Sequence, residues 1–241
     1  MSGRPYPAST AILVDLAFFI HRYPKVYGSL DLSEPDKTAK EVAARLYEMA
    51  LKHLNEKVRE KWVRVHHFYR LFVYDCPPME KRVHNPVSRK AIVLAETPTA
   101  RFRKALHQEL RGKRKVALRL GYLDEANASW QPKPAVLEEI LKGRRSLQTN
   151  PLREDEVLYY AKQKGVDMRI GLDIASMAYK KQVSRIVLVA GDSDFVPAAK
   201  MARREGIDFI LDPMWNPIKP DLHEHIDGLQ STSPKPGYNK E

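Results

Sequence analysis

A three-layer α/β/α sandwich around a mainly parallel sheet of about five strands is predicted by this chain, and three observations predict it. Residues 11–14 and 186–190 are short unbroken apolar runs, and 207–211 is apolar except for Asp208, the pattern of strands buried on both faces. Between such runs lie segments whose apolar residues recur at helical spacing, the alternation that a parallel sheet with crossover helices requires. Finally, 43% hydrophobic residues in a chain of 241 are enough to bury a core, which excludes global disorder.

Taken in order, residues 1–9 are polar, carry Pro5 and Pro7, and are expected to form a flexible arm. The run Ala11-Ile12-Leu13-Val14 is the first strand and places Asp15 at its carboxyl end. Between Asp36 and Glu60, Val42, Leu46, Met49, Ala50, Leu54 and Val58 alternate with charged residues, predicting an amphipathic helix with Ser33 or Asp36 as cap and Pro35 in its first turn. A second strand is expected from Val63 or Val65 to Tyr74, rich in aromatic and β-branched residues and stopped by Asp75-Cys76-Pro77-Pro78.

A loop from Met79, a helix over 99–110 and a third strand over 116–120 follow. Residues 124–153 hold Pro132, Pro134, Gly143 and Pro151 with little periodicity and read as a surface insertion or flexible loop. Helices are expected over 154–164 and over 166–181, the latter with Val166, Ile170, Ile174 and Ala178 on one face. A strand over 186–190, a helix over 195–205 ended by Gly206, a strand over 207–211 and a final helix over 221–229 complete the reading. Residues 10–230 are thus expected to form one domain with an irregular insertion at about 76–155, followed by a disordered tail over 231–241.

Lys and Arg number 41 against 30 Asp and Glu, a formal charge of +11 that favours polyanionic partners, nucleic acid foremost. The single cysteine, Cys76, excludes an internal disulfide framework and a thiolate zinc site. The apolar stretch 11–20 is interrupted by Asp15, is too short to span a bilayer and lacks a cleavage site, so a cytoplasmic chain with no membrane role is expected.

Ligands of open α/β sheets bind beyond the carboxyl ends of the strands. Asp15, Asp75 and the Gly191-Asp192-Ser193-Asp194 loop should gather there, with Asp167 able to join them. Clustered carboxylates repel unless a cation compensates, and oxygen-only ligands favour Mg²⁺ or Mn²⁺. Plainer readings exist for each: Asp194 as an N-cap, Asp167 as an acid suited to a helix's first turn, Asp75 as a turn residue. Asp173, six residues beyond Asp167, lies about 240° around the helix at 3.6 residues per turn and need not face the same way.

The segment Lys164-Gly165-Val166-Asp167 with Asp173 downstream, followed by Leu188-Val189-Ala190-Gly191-Asp192-Ser193-Asp194-Phe195-Val196-Pro197, closely resembles the signature of NYN-domain proteins, in the LabA-like branch of the PIN-like nuclease superfamily. The first strand with Asp15 is similar to that family's opening motif, except that Leu16-Ala17-Phe18 stands where Gly-x-Asn is common. The resemblance implies a PIN-like fold and a ribonuclease using Mg²⁺ or Mn²⁺. Its acidic positions fall on Asp15, Asp167, Asp192 and Asp194, with Asp173 as a fifth metal-site candidate. Asp15 and Asp192 would hold the metal, and Asp194 or Asp167 would orient or deprotonate the attacking water.

RNA contacts are expected from Arg101, Arg103, Lys104, Arg111, Lys113, Arg114 and Lys115, with Lys164 added, because Phe102, Tyr122 and Trp130 lie near enough in sequence to stack on bases. A homo-oligomer or a regulatory protein partner is compatible with the sequence. The alternative to a nuclease is a non-catalytic RNA-binding or regulatory module on the same fold, which the altered opening motif permits.

Overall fold

The computed structural model of the protein describes residues 9–237. Its centre is β1 (Ser9–Asp15), whose residues Ala11, Ile12, Leu13 and Val14 are fully buried. Alternate side chains enter two separate cores: Ala11 and Leu13 feed one, Ile12 and Val14 the other. From Asp15 the chain turns straight into α1 (Leu16–Tyr27), then α2 (Pro35–Lys52) and a hairpin of β2 (Asn55–Val58) and β3 (Lys61–Arg64). It returns as β4 (His67–Asp75), parallel to β1. A second hairpin, β5 (Arg82–His84) with β6 (Ala91–Val93), precedes α3 (Pro98–Arg111) and β7 (Val116–Leu120), which pairs in parallel with β4.

An excursion follows, made of β8 (Tyr122–Leu123), β9 (Ser129–Pro132), α4 (Pro134–Leu141), β10 (Val157–Tyr160) and β11 (Gln163–Lys164), in which β9 pairs with β10 and β8 with β11. The buried Arg145–Glu156 ion pair, 2.7 Å, ties its long loop down. Then come α5 (Val166–Tyr179), β12 (Arg185–Val189), α6 (Val196–Arg204), β13 (Asp208–Asp212), α7 (Pro220–Glu224) and β14 (Gly228–Leu229).

The main sheet has the order β14-β13-β12-β1-β4-β7, with every neighbouring pair parallel. One half of the chain winds outward from β1 to β7; the other starts on β1's opposite side with β12 and winds outward to β14. Helices α1, α2 and α3 cover one face through Phe19, Leu46 and Leu106, while α5 and α6 cover the other through Ile170, Ile174 and Ala199. The sandwich read from the sequence is therefore present, with six strands. Strand order reverses between β1 and β12, which fixes where a ligand crevice should open. Among the described residues no helix is long and apolar enough to cross a membrane.

Several elements differ from expectation for identifiable reasons. The helix read over residues 36–60 ends at Lys52: Leu54 is buried from the turn that follows, and Val58 sits on the β2–β3 hairpin, 45% exposed. The segment 154–164 is a single 3-10 turn over Glu154–Glu156 and then extended, because Val157-Leu158-Tyr159-Tyr160 is rich in β-branched and aromatic residues and pairs with β9. Helix α1 was not anticipated; Asp15 caps it and Leu16, Phe19 and Tyr23 are buried at helical spacing, but Pro24 inside it obscures the pattern. Of the insertion placed at 76–155, α3 and β7 belong to the main sandwich. Residues 1–8 of the expected arm lie outside the described residues, and Ser9 already belongs to β1. The segment expected as a tail begins packed: Thr232 Oγ1 donates to the Met49 carbonyl at 2.9 Å and Ser233 is buried, while residues 238–241 lie outside the described residues.

Candidate active site

Asp15 ends β1 and Asp192 follows β12, so the two carboxylates arise on either side of the point where strand order reverses. The register pairs Val14 with Val189, which leaves Asp15 level with Ala190, two residues before Asp192. Asp15 Oδ1 accepts the Phe18 N–H at 3.1 Å and so caps α1. Asp192 Oδ1 accepts the Asp194 N–H at 3.2 Å, closing the short turn Ser193–Phe195 that buried Phe195 anchors in the core. The capping role that sequence offered for Asp194 thus belongs to Asp192, and Asp194 is exposed. Asp167 enters from the first turn of α5, after Gly165 at φ +78° reverses the chain.

The electrostatics record this convergence. Burial pushes the Asp15 carboxyl up to about 6, assisted by the charges of Asp167 and Asp75 and opposed by the N–H groups of Phe18 and Ala17. Asp167 is raised as well, first by desolvation and then by Asp192 and Asp194. Asp15, Asp167, Asp192 and Asp194 therefore share one field. Among the described residues, no three carboxylate, imidazole or thiol groups close into a complete metal cage. The donor set fits a hydrated Mg²⁺ or Mn²⁺ nonetheless, since such ions are commonly held by one or two carboxylates and keep several waters.

Two sequence candidates do not join. Asp173 accepts the Tyr74 hydroxyl at 2.8 Å and pairs with Arg119 at 3.2 Å, as its angular offset from Asp167 allows. Asp75, fully buried at the end of β4, is bound by Arg103 at 2.6 Å and by His107 Nε2 at 2.7 Å. It is a neutralised structural acid, neither a turn residue nor a free ligand.

The basic stretch is divided by the geometry of α3. That helix crosses back between parallel strands, so its start lies at the carboxyl edge of the sheet and its end at the amino edge, about 20 Å away for 14 residues at 1.5 Å each. Arg101 is exposed near the start. Arg103 is committed to Asp75, Lys104 pairs with Glu80 at 2.7 Å, and Lys164 pairs with Asp124 at 2.6 Å. Arg111, Lys113, Arg114 and Lys115 fall at the far edge. Phe102 is 2% exposed and unavailable for stacking, and Trp130 packs edge-on against Tyr159 with ring centres 5.5 Å apart; Tyr122 is exposed.

Sequence reasoning missed two residues near this edge, Lys219 and Asp212, and the contact made by a third, Phe18. Lys219 Nζ donates to Ser193 Oγ at 3.2 Å, a cation beside the acidic loop that no local pattern signals. Asp212, fully buried at the end of β13, binds fully buried His53 at 2.8 Å and accepts the Met214 N–H at 2.8 Å; this pair is internal scaffolding. Phe18 lies against Gly191, where an added Cβ would stand 2.5 Å from its ring. Gly191→Ala is accordingly expected to cost about 1–3 kcal/mol in thermal unfolding. Adding Phe18→Ala should recover part of that loss, whereas strictly additive effects would place the constraint elsewhere.

No curated protein matches the chain. Among solved structures, a protein of unknown function from Vibrio parahaemolyticus is similar at 17% identity over 94% of each chain, with a TM-score of 0.47. The family described as the NYN domain matches residues 96–216, which run from before α3 through β13 and include Asp167, Asp192 and Asp194. Asp15 lies outside that match and joins the site through strand order alone. By that match over half of its length, the chain belongs to the NYN-domain family, a group within the PIN-like superfamily of nuclease folds.

Proposed function

We propose that the protein is a metal-dependent ribonuclease that hydrolyses phosphodiester bonds in single-stranded RNA in the cytoplasm. The observation that carries this reading is the set of carboxylates, Asp15, Asp167, Asp192 and Asp194, where strand order reverses in a NYN domain, with Asp15 raised in part by Asp167, and Asp167 in part by Asp192 and Asp194. Asp15 and Asp192 would hold Mg²⁺ or Mn²⁺, which when bound supplies positive charge against the developing charge on the phosphate. Asp167, kept more basic than an ordinary carboxylate, and exposed Asp194 are suited to orient a water and accept its proton. Arg101 and Lys219 place positive charge beside this edge for the RNA backbone.

A second reading, an RNA-binding module without turnover, is favoured by one feature: the Phe18 ring, apolar where the family often carries Asn, lies against Gly191 within the acidic loop. One experiment separates the two. Labelled single-stranded RNA incubated with Mn²⁺ should be cleaved, EDTA should stop cleavage, and Asp192→Asn should reduce the rate by about 10²-fold or more. Binding without cleavage would establish the second reading; equal activity in the variant would reject the site.

A further inference from the structure

At the amino edge of the sheet, opposite the acids, the structure holds a cleft of about 310 Å³ between the hairpin, α2, the start of β4 and the turn into β7. Tyr47 and Phe68 form its aromatic wall, with ring centres 6.5 Å apart and edge-on. Arg64, His66, His67, Arg114 and Lys115 line it and no carboxylate does, although His66 is bonded to Glu56 at 2.7 Å behind the lining. Lys113 and Lys115 sit over the Tyr47 and Phe68 rings at 5.6 and 5.5 Å. Arg64 and Arg114 are exposed and have no ion-pair partner among the described residues, unlike the committed Arg103, Lys104 and Lys164. Two residues before Arg64, and so on the same face of β3, Trp62 stands 66% exposed with its indole free of the core.

Unpaired guanidiniums beside aromatic rings, in a cleft without acids, are the chemistry that grips a single-stranded polynucleotide through phosphate contacts and base stacking. We infer that this edge is a second RNA-binding site, an anchor separate from the acidic edge; it rests on RNA being the substrate. Strand β4 spans the two edges with nine residues, about 26 Å at ~3.3 Å per step, a path that a single-stranded 20-mer can cover.

The test uses the full chain with fluorescein-labelled U20 in EDTA, so that binding is read without cleavage. The double variant Arg64→Ala, Arg114→Ala changes only exposed side chains, and its melting temperature should match wild type. Its affinity for U20 should fall about tenfold or more, and the slope of log affinity against log salt should decrease by about 1.4, two phosphate contacts at ~0.7 each. U20 affinity within twofold of wild type, with an unchanged slope, overturns the anchor. On the wild-type chain, 4-thiouridine U20 should cross-link to peptides carrying Tyr47, Trp62 or Phe68; cross-links confined to the carboxyl edge overturn it. Displacement of U20 by polyglutamate at equal charge also overturns it, in favour of an acidic protein partner. If Mn²⁺ yields no cleavage of U20, the nuclease reading fails while these binding results still decide the anchor.

Discussion

Asp15→Asn should abolish RNA cleavage while making the protein more stable. The carboxyl of Asp15 is raised to about 6, chiefly by burial and then by Asp167, so folding works against its charge at neutral pH. Because the folded value lies above the unfolded one, stability linked to this group is fully present below about pH 4 and is lost as pH rises through 6. At pH 7.5 the charge therefore costs up to about 3 kcal/mol, taking 1.36 kcal/mol per unit. Asparagine removes that cost and still caps α1, since its side-chain oxygen can accept the Phe18 N–H. A gain of about 2–4 °C in melting temperature per kcal/mol is expected for a chain of this size, shrinking toward zero near pH 4. Activity should fall by about 10²–10³-fold, because the amide is a poor ligand for a hard cation. Wild-type activity should itself fall about tenfold from pH 7.5 to pH 5 as protons compete for Asp15. A variant that loses stability and keeps its activity would make Asp15 a helix cap and nothing more.

Much of this site is legible in the chain because each acid is tied to a strong local pattern. Asp15 and Asp192 follow four- and five-residue apolar runs that can be little other than buried strands, so their place at the carboxyl edge follows from strand direction. Asp167 is set by Gly165, which permits the left-handed reversal before α5. Where patterns are shared between structures, reading fails. Leu54 and Val58 continue α2's helical spacing yet sit beyond its end, and Val157-Leu158-Tyr159-Tyr160 is too short for periodicity to separate strand from helix. Pairing across distance is the least visible: nothing near Asp75 announces that Arg103 and His107 will return on a helix to claim it, nor that the run of cations in α3 and beyond will be shared between opposite edges. That division is what turns a single expected RNA surface into the two we propose.

The buried acid that the site does not use should prove the costliest to remove. Asp75 is fully buried, with Arg103 and His107 both bonded to it and His107 itself 3% exposed. Burial alone would raise its carboxyl, but the bonds from His107 and Arg103 outweigh that and hold it below the usual carboxylate range. Asp75→Ala leaves buried His107 and part-buried Arg103 facing one another with no acceptor, a change that costs about 3–5 kcal/mol when one member of a buried ion pair is removed. A drop in melting temperature of about 10 °C or more follows. The pH signature is opposite to that of Asp15. A depressed carboxyl contributes stability that is present above the unfolded value near 4 and is lost as pH falls through the lower folded value. The deficit of Asp75→Asn against wild type should therefore be constant from pH 5 to 8 and shrink only below about pH 4. Urea unfolding across that range reads both variants, and a deficit that instead vanished near pH 6 would mean that His107 and Arg103 do not hold the Asp75 carboxyl down. Since Arg103 and His107 bind Asp75 directly and its charge is only a minor influence on Asp15, the folded fraction of Asp75→Asn should keep the wild-type dependence of cleavage on Mn²⁺ concentration, separating an acid that builds this edge from those proposed to work on it.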